Sequence, residues 1–191
     1  MTEAPRDPSI ELAERVATVA TEMGIPTALI GATALAAHNY VRGTADIDLA
    51  TAVDPFRELR RLQERLVSEG LDADLSLPDA EDGLGGVLRI RATADADDLV
   101  EVVNFLNPMN LSKNPGSEAV RTAVSVGAST PLRCATLPLL IALKLYAGGR
   151  RDQADVIELM RRNPDADVAA IREVCARYGF SELLEELLRE V

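Results

Sequence analysis

Asp46 and Asp48 stand two residues apart in Asp46-Ile47-Asp48-Leu49, a spacing that on a strand puts both carboxylates on one face and both aliphatics on the other. Two acids held side by side repel, and they resist ionising together unless a cation lies between them. Upstream, Ala28-Leu29-Ile30 reads as a short buried strand that reaches Gly31 and turns at once into a helix beginning near Thr33. A helix start leaves backbone N–H groups unpaired, with the positive end of the helix dipole facing whatever sits above Gly31. Glycine lacks a Cβ, so an anion can come close. A phosphate-binding turn followed by a carboxylate pair suits a metal-bound nucleotide, and Arg42 and Thr44 fall in the same strand-helix-strand unit. Each signal has a plainer reading as well: alternating acids and aliphatics describe an ordinary half-exposed strand, and a lone glycine before a helix is common.

Two further residues carry chemistry. Glu101 lies in Leu99-Val100-Glu101-Val102-Val103-Asn104-Phe105-Leu106, an apolar run that reads as a strand covered on both faces. An unpaired carboxylate buried there costs several kcal/mol, so a partner is required. Asn104, on the opposite strand face, is the competing site residue, although an amide can ligate but cannot act as a base. An edge-strand glutamate open to solvent is the remaining alternative. Lys144 sits among Leu140, Ile141, Leu143 and Leu145 in an otherwise apolar helix. Its amine either snorkels to the rim or reaches into a cleft to meet a phosphate.

The form G-A-T-A-L-A-x-H…R-G-T-x-D-I-D-L, starting at Gly31, resembles the signature of the DNA-polymerase-β-like nucleotidyltransferase superfamily, and most of all the branch that includes AbiEii-type abortive-infection toxins and many bacterial relatives. The later segment LPLLIALKLYAGGRRDQADVIELM resembles that branch's L-x-A-x-K-L-x-A…R-x-x-D-x-x-D-I, with Lys144, Arg150, Arg151 and Asp155 in matching positions. The resemblance implies an α/β (α+β) fold, a mixed central sheet flanked by helices with a C-terminal helical segment. It implies a metal-dependent enzyme that transfers NMP from a nucleoside triphosphate to an acceptor hydroxyl. Asp46, Asp48 and Glu101 would form the catalytic and Mg²⁺ (or Mn²⁺) site. Gly31, Ala32, Thr33, Arg42 and Lys144 would bind the nucleotide and its phosphates, though Arg42 serves equally well as a brace for the Asp46 strand. Ala32 departs from the family's usual glycine or serine; its N–H remains, and Thr33 offers a hydroxyl instead. Glu101 stands where the family more often has Asp. The acceptor is left open between tRNA, a protein side chain and a small molecule, and a cognate antitoxin is the partner a toxin of this branch would have. A catalytically silent binding or regulatory protein on the same fold is the alternative. His38, on the helix after Gly31, reads as a capping or packing group.

The remaining elements position these groups. Asp7-Pro8 opens a helix whose face is Leu12, Val16, Val19, Ala20 and Met23, ending at Gly24. Asp54-Pro55 opens another, with Phe56, Leu59, Leu62, Leu66 and Val67 inward and Arg57, Arg60, Arg61 and Arg65 opposite, read as a solvated face of ion pairs or an acceptor-docking surface. Asp72 to Leu77 and Val87 to Ala92 alternate and read as a hairpin around a Gly-containing loop. Asn107 to Gly116 is a loop whose cation is Lys113, and Val124 and Val126 suggest a last short strand. The segment from Leu137 is helical, breaks at Gly148-Gly149 and resumes with Asp152 as N-cap, while Asp155 is placed to pair with Arg151. The tail reads as two helices, with Ile171, Val174, Cys175 and Tyr178 up to Gly179, then Ser181 capping a leucine-rich one. This divides the chain into a core over residues 1–130 and a helical segment over 131–191 packed on it.

A chain of 191 residues with net charge −11 repels polyanions, which argues against broad nucleic-acid binding but not against a nucleotide carried by a metal. Aromatics are 3% of residues, so base-stacking platforms are scarce. Cys134 and Cys175 lack metal-ligand spacing and read as buried free thiols of a reducing cytoplasm. Residues 1–30 are charged and broken by Pro5 and Pro8, without an apolar signal core, and no segment approaches the ~18 apolar residues of a membrane span. The expectation is a cytoplasmic protein without a membrane partner.

Overall fold

The structure, a computed structural model, describes residues 7–44 and 46–191. Pro5 lies outside the described residues. In chain order the elements are α1 (Pro8–Glu22), β1 (Ala28–Ile30), α2 (Gly31–Ala37), β2 (Asp46–Thr51), a π-helical turn (Pro55–Leu59) running into α3 (Arg60–Ser68), β3 (Asp72–Ser76), β4 (Val87–Arg91), β5 (Leu99–Asn104), α4 (Gly116–Thr122), β6 (Val124–Ser125), β7 (Arg133–Cys134), α5 (Leu137–Ala147), α6 (Arg150–Arg162), α7 (Val168–Arg177) and α8 (Ser181–Leu188). The strands form one mixed sheet in the order β3-β4-β5-β2-β1-β7-β6. β2 runs parallel to β5, and β1 parallel to β7; the other pairs are antiparallel. The α/β class with a mixed sheet flanked by helices is the one expected.

Register gives the sheet two unlike faces. Ile47, Leu49 and Thr51 of β2 lie beside Val100, Val102 and Asn104 of β5, and Leu88 and Ile90 of β4 continue the row. All of these are buried. The opposite face carries Asp46, Asp48, Glu101, Arg89 and Asp74. β5 therefore alternates between open and buried positions, and the expectation of cover on both faces fails. Leu99, Glu101 and Val103 sit on the half-open face, where Asp48 and Arg89 flank Glu101.

α1 packs on β2, β5 and α3, and α5 packs on α4, α6 and α7. One continuous apolar core joins these layers, and β7, beyond residue 130, pairs with β1. Asp7 and Asp54 cap their helices as read, with Asp7 accepting from the Ser9 N–H and Asp54 from those of Phe56 and Arg57. Phe56 and Val67 are exposed, not inward. The first turn is π-wound, and Leu59, Leu62 and Leu66, with Pro55 ahead of them, take the buried stripe. Arg57, Arg61 and Arg65 pair with Glu58, Glu69 and Glu22, as in the solvated-face reading. α6 begins at Arg150 with Gly149 as N-cap, so Asp152 is not the cap, and Phe180 rather than Ser181 precedes α8 as N-cap, without a side-chain bond. Both cysteines are free and buried, and burial pushes each thiol up to about 11. Among the described residues no helix is long and apolar enough to cross a membrane.

Candidate active site

β1 leaves the sheet at Ile30 in extended conformation, and the chain turns at Gly31 with φ +63 into α2. No side chain caps this helix start. Seven residues carry little aligned dipole, so the turn offers close access and backbone donors more than a strong field. The turn favours glycine on two counts, its positive φ and its closeness to Asp48. A Cβ on Gly31 would stand 1.9 Å from Asp48 Oδ2, far inside van der Waals contact, so the carboxylate would have to move. Ala32 is buried and Thr33 half-buried. Thr44 bonds both backbone groups of Asp46 through its hydroxyl, at 3.0 and 3.2 Å, and so fixes the first residue of β2.

Asp46 and Asp48 share the half-open face, and the parallel register sets Asp48 directly beside Glu101. Burial, then the charges of Glu101 and Asp46, push the Asp48 carboxyl up to about 6, against smaller downward pulls from Lys144 and Arg42. An all-oxygen donor set whose members repel one another is the kind a hard divalent cation relieves, so the residues present fit Mg²⁺ or Mn²⁺ in chemistry. They are not drawn into a ready-made cage. Among the described residues no three His, Cys, Asp or Glu side chains form a ligand cluster. Glu101 instead meets Arg89, Nε to Oε1 at 2.7 Å.

Asn104 plays no part on this face. Its side chain is fully buried on the other side of β5, bonding the backbone of Val53, Gly85 and Leu106. His38 closes α2 and its Nε2 lies 2.8 Å from the Ala135 carbonyl, a packing role as read.

A cavity of about 240 Å³ opens beside Gly31 and Asp48. Lys144 and Asp152 line the same polar end, and Val103, Phe105, Leu140 and Leu143 form apolar walls. Lys144 does not snorkel. Its side chain is 9% exposed, and its Nζ lies 2.9 Å from Asp152 Oδ1 and 2.9 Å from Asp155 Oδ2. Asp155 pairs with Lys144 and with both-oxygen contacts from Arg42 Nη1 at 3.1 and 3.2 Å, not with Arg151 as the helical spacing suggested. Helical spacing makes one turn the nearest partner, but Asp155 faces inward and Arg151 outward. Arg42 thus braces the loop before β2 onto α6, and its buried Nε has no partner.

Sequence reasoning missed Arg89 and the role of Asp152. The alternation of β4 contained the first signal, since hairpin and β5 together place an arginine opposite Glu101. Asp152 carried no comparable signal, because its contact with Lys144 spans the glycine break.

The seven-stranded mixed sheet flanked by helices is consistent with a nucleotidyltransferase-like fold. The chain is similar to the solution structure of the antibiotic-resistance factor ANT(2'')-Ia, at 18% identity and TM-score 0.59, over 95% of this chain and 96% of that one. It is also similar to the crystal structure of ANT(2'')-Ia in complex with adenylyl-2''-tobramycin, at 20% identity and TM-score 0.51, covering 95% of each chain. An antigenic nucleotidyltransferase-like protein from Paracoccidioides brasiliensis is similar at 15% identity and TM-score 0.51, over 97% of this chain and 95% of that one. No protein-family model and no curated protein matches the chain.

Proposed function

We propose that this chain is a nucleotidyltransferase that transfers NMP from a nucleoside triphosphate to an acceptor hydroxyl. The observation that carries the reading is the in-register contact of Asp48 with Glu101, on the same face as Asp46 and directly under Gly31. In this reading Gly31, Ala32 and Thr33 receive the phosphates through backbone N–H groups and the Thr33 hydroxyl. Lys144, held in the cavity wall, and Arg42 behind it offset charge developing on the departing pyrophosphate. Glu101 would either complete the cation site or accept the proton of the acceptor hydroxyl, as the hydroxyl oxygen bonds to the α-phosphorus and the bond to the leaving pyrophosphate breaks. Asp46 and Asp48, with Glu101 in the first of these roles, would hold Mg²⁺ or Mn²⁺, which would supply charge neutralisation.

Replacing Asp46 and Asp48 together with Ala tests the reading. Transfer of labelled nucleotide should disappear while the thermal midpoint does not fall below that of the parent; unchanged transfer overturns the assignment. The net charge of −11 and the apolar cavity walls favour a small molecule or a protein hydroxyl over a long nucleic acid as acceptor. The resemblance to AbiEii-type toxins supports a place in a toxin–antitoxin pair. Growth arrest on expression, relieved by the product of the adjacent gene, is the result that role requires.

The Arg89–Glu101 ion pair favours a second reading, a silent fold that binds nucleotide without transfer. Calorimetry with each nucleoside triphosphate separates the two, because nucleotide binding that ignores Mg²⁺ belongs to the silent protein.

A further inference from the structure

Four strands present one residue each to a single lateral row on the half-open face of the sheet. Asp74 of β3 is in register with Arg89 of β4, Arg89 with Glu101 of β5, and Glu101 with Asp48 of β2. Charges along the row read acid, base, acid, acid. Cross-strand neighbours lie close enough for long side chains to reach either side, so Arg89 has two acceptors and Glu101 has two claimants. In the structure Arg89 takes Glu101, at 2.7 Å, and steadies its Nη1 on Ser76 Oγ at 3.3 Å. Asp74 is exposed on the far side of the same arginine.

We propose that Arg89 is a latch on the third carboxylate: it holds Glu101 out of the acid set until a divalent cation displaces it toward Asp74, and it thereby sets the cation affinity of the site. The proposal rests on the reading of Asp46, Asp48 and Glu101 as a cation site. With Arg89 on Glu101, two carboxylates remain for a cation. Recruiting the third requires breaking an ion pair whose side chains are 39% and 25% exposed, a modest and reversible barrier. Asp74 lowers that barrier by offering the released guanidinium a second carboxylate. Removing Arg89 should therefore tighten cation binding, and removing Asp74 should weaken it only while Arg89 is present.

The test is Mn²⁺ binding to the full chain without nucleotide, followed by the loss of free-ion electron paramagnetic resonance signal. Arg89→Gln should bind Mn²⁺ about three- to fivefold more tightly than the parent. Asp74→Asn should bind more weakly, and the Asp74→Asn/Arg89→Gln double variant should match Arg89→Gln alone. Simple loss of charge predicts otherwise: Asp74→Asn would then weaken binding equally in both backgrounds, and Arg91→Gln, two residues along the same face of β4, would tighten it as much as Arg89→Gln. Either of those results overturns the latch. Arg89→Lys, which keeps the charge and loses the planar fork, gives an intermediate affinity and serves where Arg89→Gln is poorly folded by circular dichroism. Glu101→Gln should abolish the effect of Arg89→Gln. Parent protein whose Mn²⁺ binding is lost in Asp46→Asn/Asp48→Asn but untouched by Arg89→Gln rejects the latch and leaves the cation site standing. Absence of Mn²⁺ binding in the parent and in Arg89→Gln alike rejects both.

Discussion

Lys144 and Asp155 meet at 2.9 Å where their side chains are 9% and 2% exposed, and the same carboxylate holds Arg42 at 3.1 Å. One aspartate of α6 therefore orients the cavity-lining lysine of α5 and ties down the loop that feeds β2. Removing one partner of a buried ion pair strands the other charge, at a cost of about 3–5 kcal/mol. Asp155→Asn strands Arg42 and leaves Lys144 with Asp152 alone. Asp152, the other carboxylate on Lys144, is 25% exposed and can be replaced by water. Urea unfolding should show Asp155→Asn losing about 3 kcal/mol or more and Asp152→Asn about 1 kcal/mol or less. The reverse order would place the weight of the network on the rim instead of the interior.

Gly31 and Gly24 both have positive φ, +63 and +74, and differ in what surrounds them. An alanine at either pays the left-handed backbone penalty of about 1–2 kcal/mol. At Gly24 nothing lies within 4 Å of the new Cβ, whereas at Gly31 it collides with the Asp48 carboxylate. Both variants should lower the thermal midpoint. Gly31→Ala alone should also lose Mn²⁺ and nucleotide binding, because Asp48 must rotate away; retention of both would show that the acid is not held where the turn needs it.

The centre of the fold was legible because local signals and tertiary demands agree there. Ala28 to Ile30, the turn at Gly31, the acid–aliphatic alternation of β2 and the proline-preceding caps Asp7 and Asp54 each obey a short-range rule that packing then reinforces. What escaped depends on partners distant in the chain. β7 is two residues whose strand character exists through pairing with Leu29 on one side and with β6 on the other. α4 follows an asparagine-rich loop, and Asn114 marks its start by accepting from the Gly116 N–H. Asp155 looks one turn along its helix for a partner in sequence, yet its partners are Arg42 and Lys144, across the fold. The setting of Glu101 was misjudged: the apolar run hid an alternation, and the arginine that pairs with it lies on another strand.

Asn104 and Glu101, three residues apart on β5, should respond to substitution in opposite ways. The Asn104 amide, itself 0% exposed, donates to the carbonyls of Val53, Gly85 and Leu106 and accepts from the Val53 and Leu106 N–H groups. Asn104→Ala leaves these buried and part-buried backbone groups unpaired, at about 1–3 kcal/mol for each that water cannot reach, so a loss of about 3 kcal/mol is expected. Glu101→Ala removes a half-exposed ion pair and should cost about 1 kcal/mol or less while eliminating catalysis. Chemical denaturation beside a transfer assay reads both. A stable Asn104→Ala protein without activity would move the site to the other face of the strand.

Asp48 gives stability a pH dependence whose sign follows from its raised pKa. Its carboxyl titrates at about 6 in the folded protein against 3.8 in the unfolded chain, chiefly through burial and then through Glu101 and Asp46. Between those values the native state binds more protons than the unfolded one, so this group's contribution to stability falls as pH rises through the window. Below about pH 4 both states are protonated and the penalty vanishes; above about pH 6 it is complete, at most about 3 kcal/mol for a shift of this size. Asp48→Asn removes the titration. In the presence of chelator, the variant should therefore be more stable than the parent near neutral pH, by about 1–3 kcal/mol, and the difference should shrink toward zero as the pH falls to about 4. Thermal melts at stepped pH measure it, and a constant difference across the window would mean that Asp48 ionises as freely in the fold as outside it.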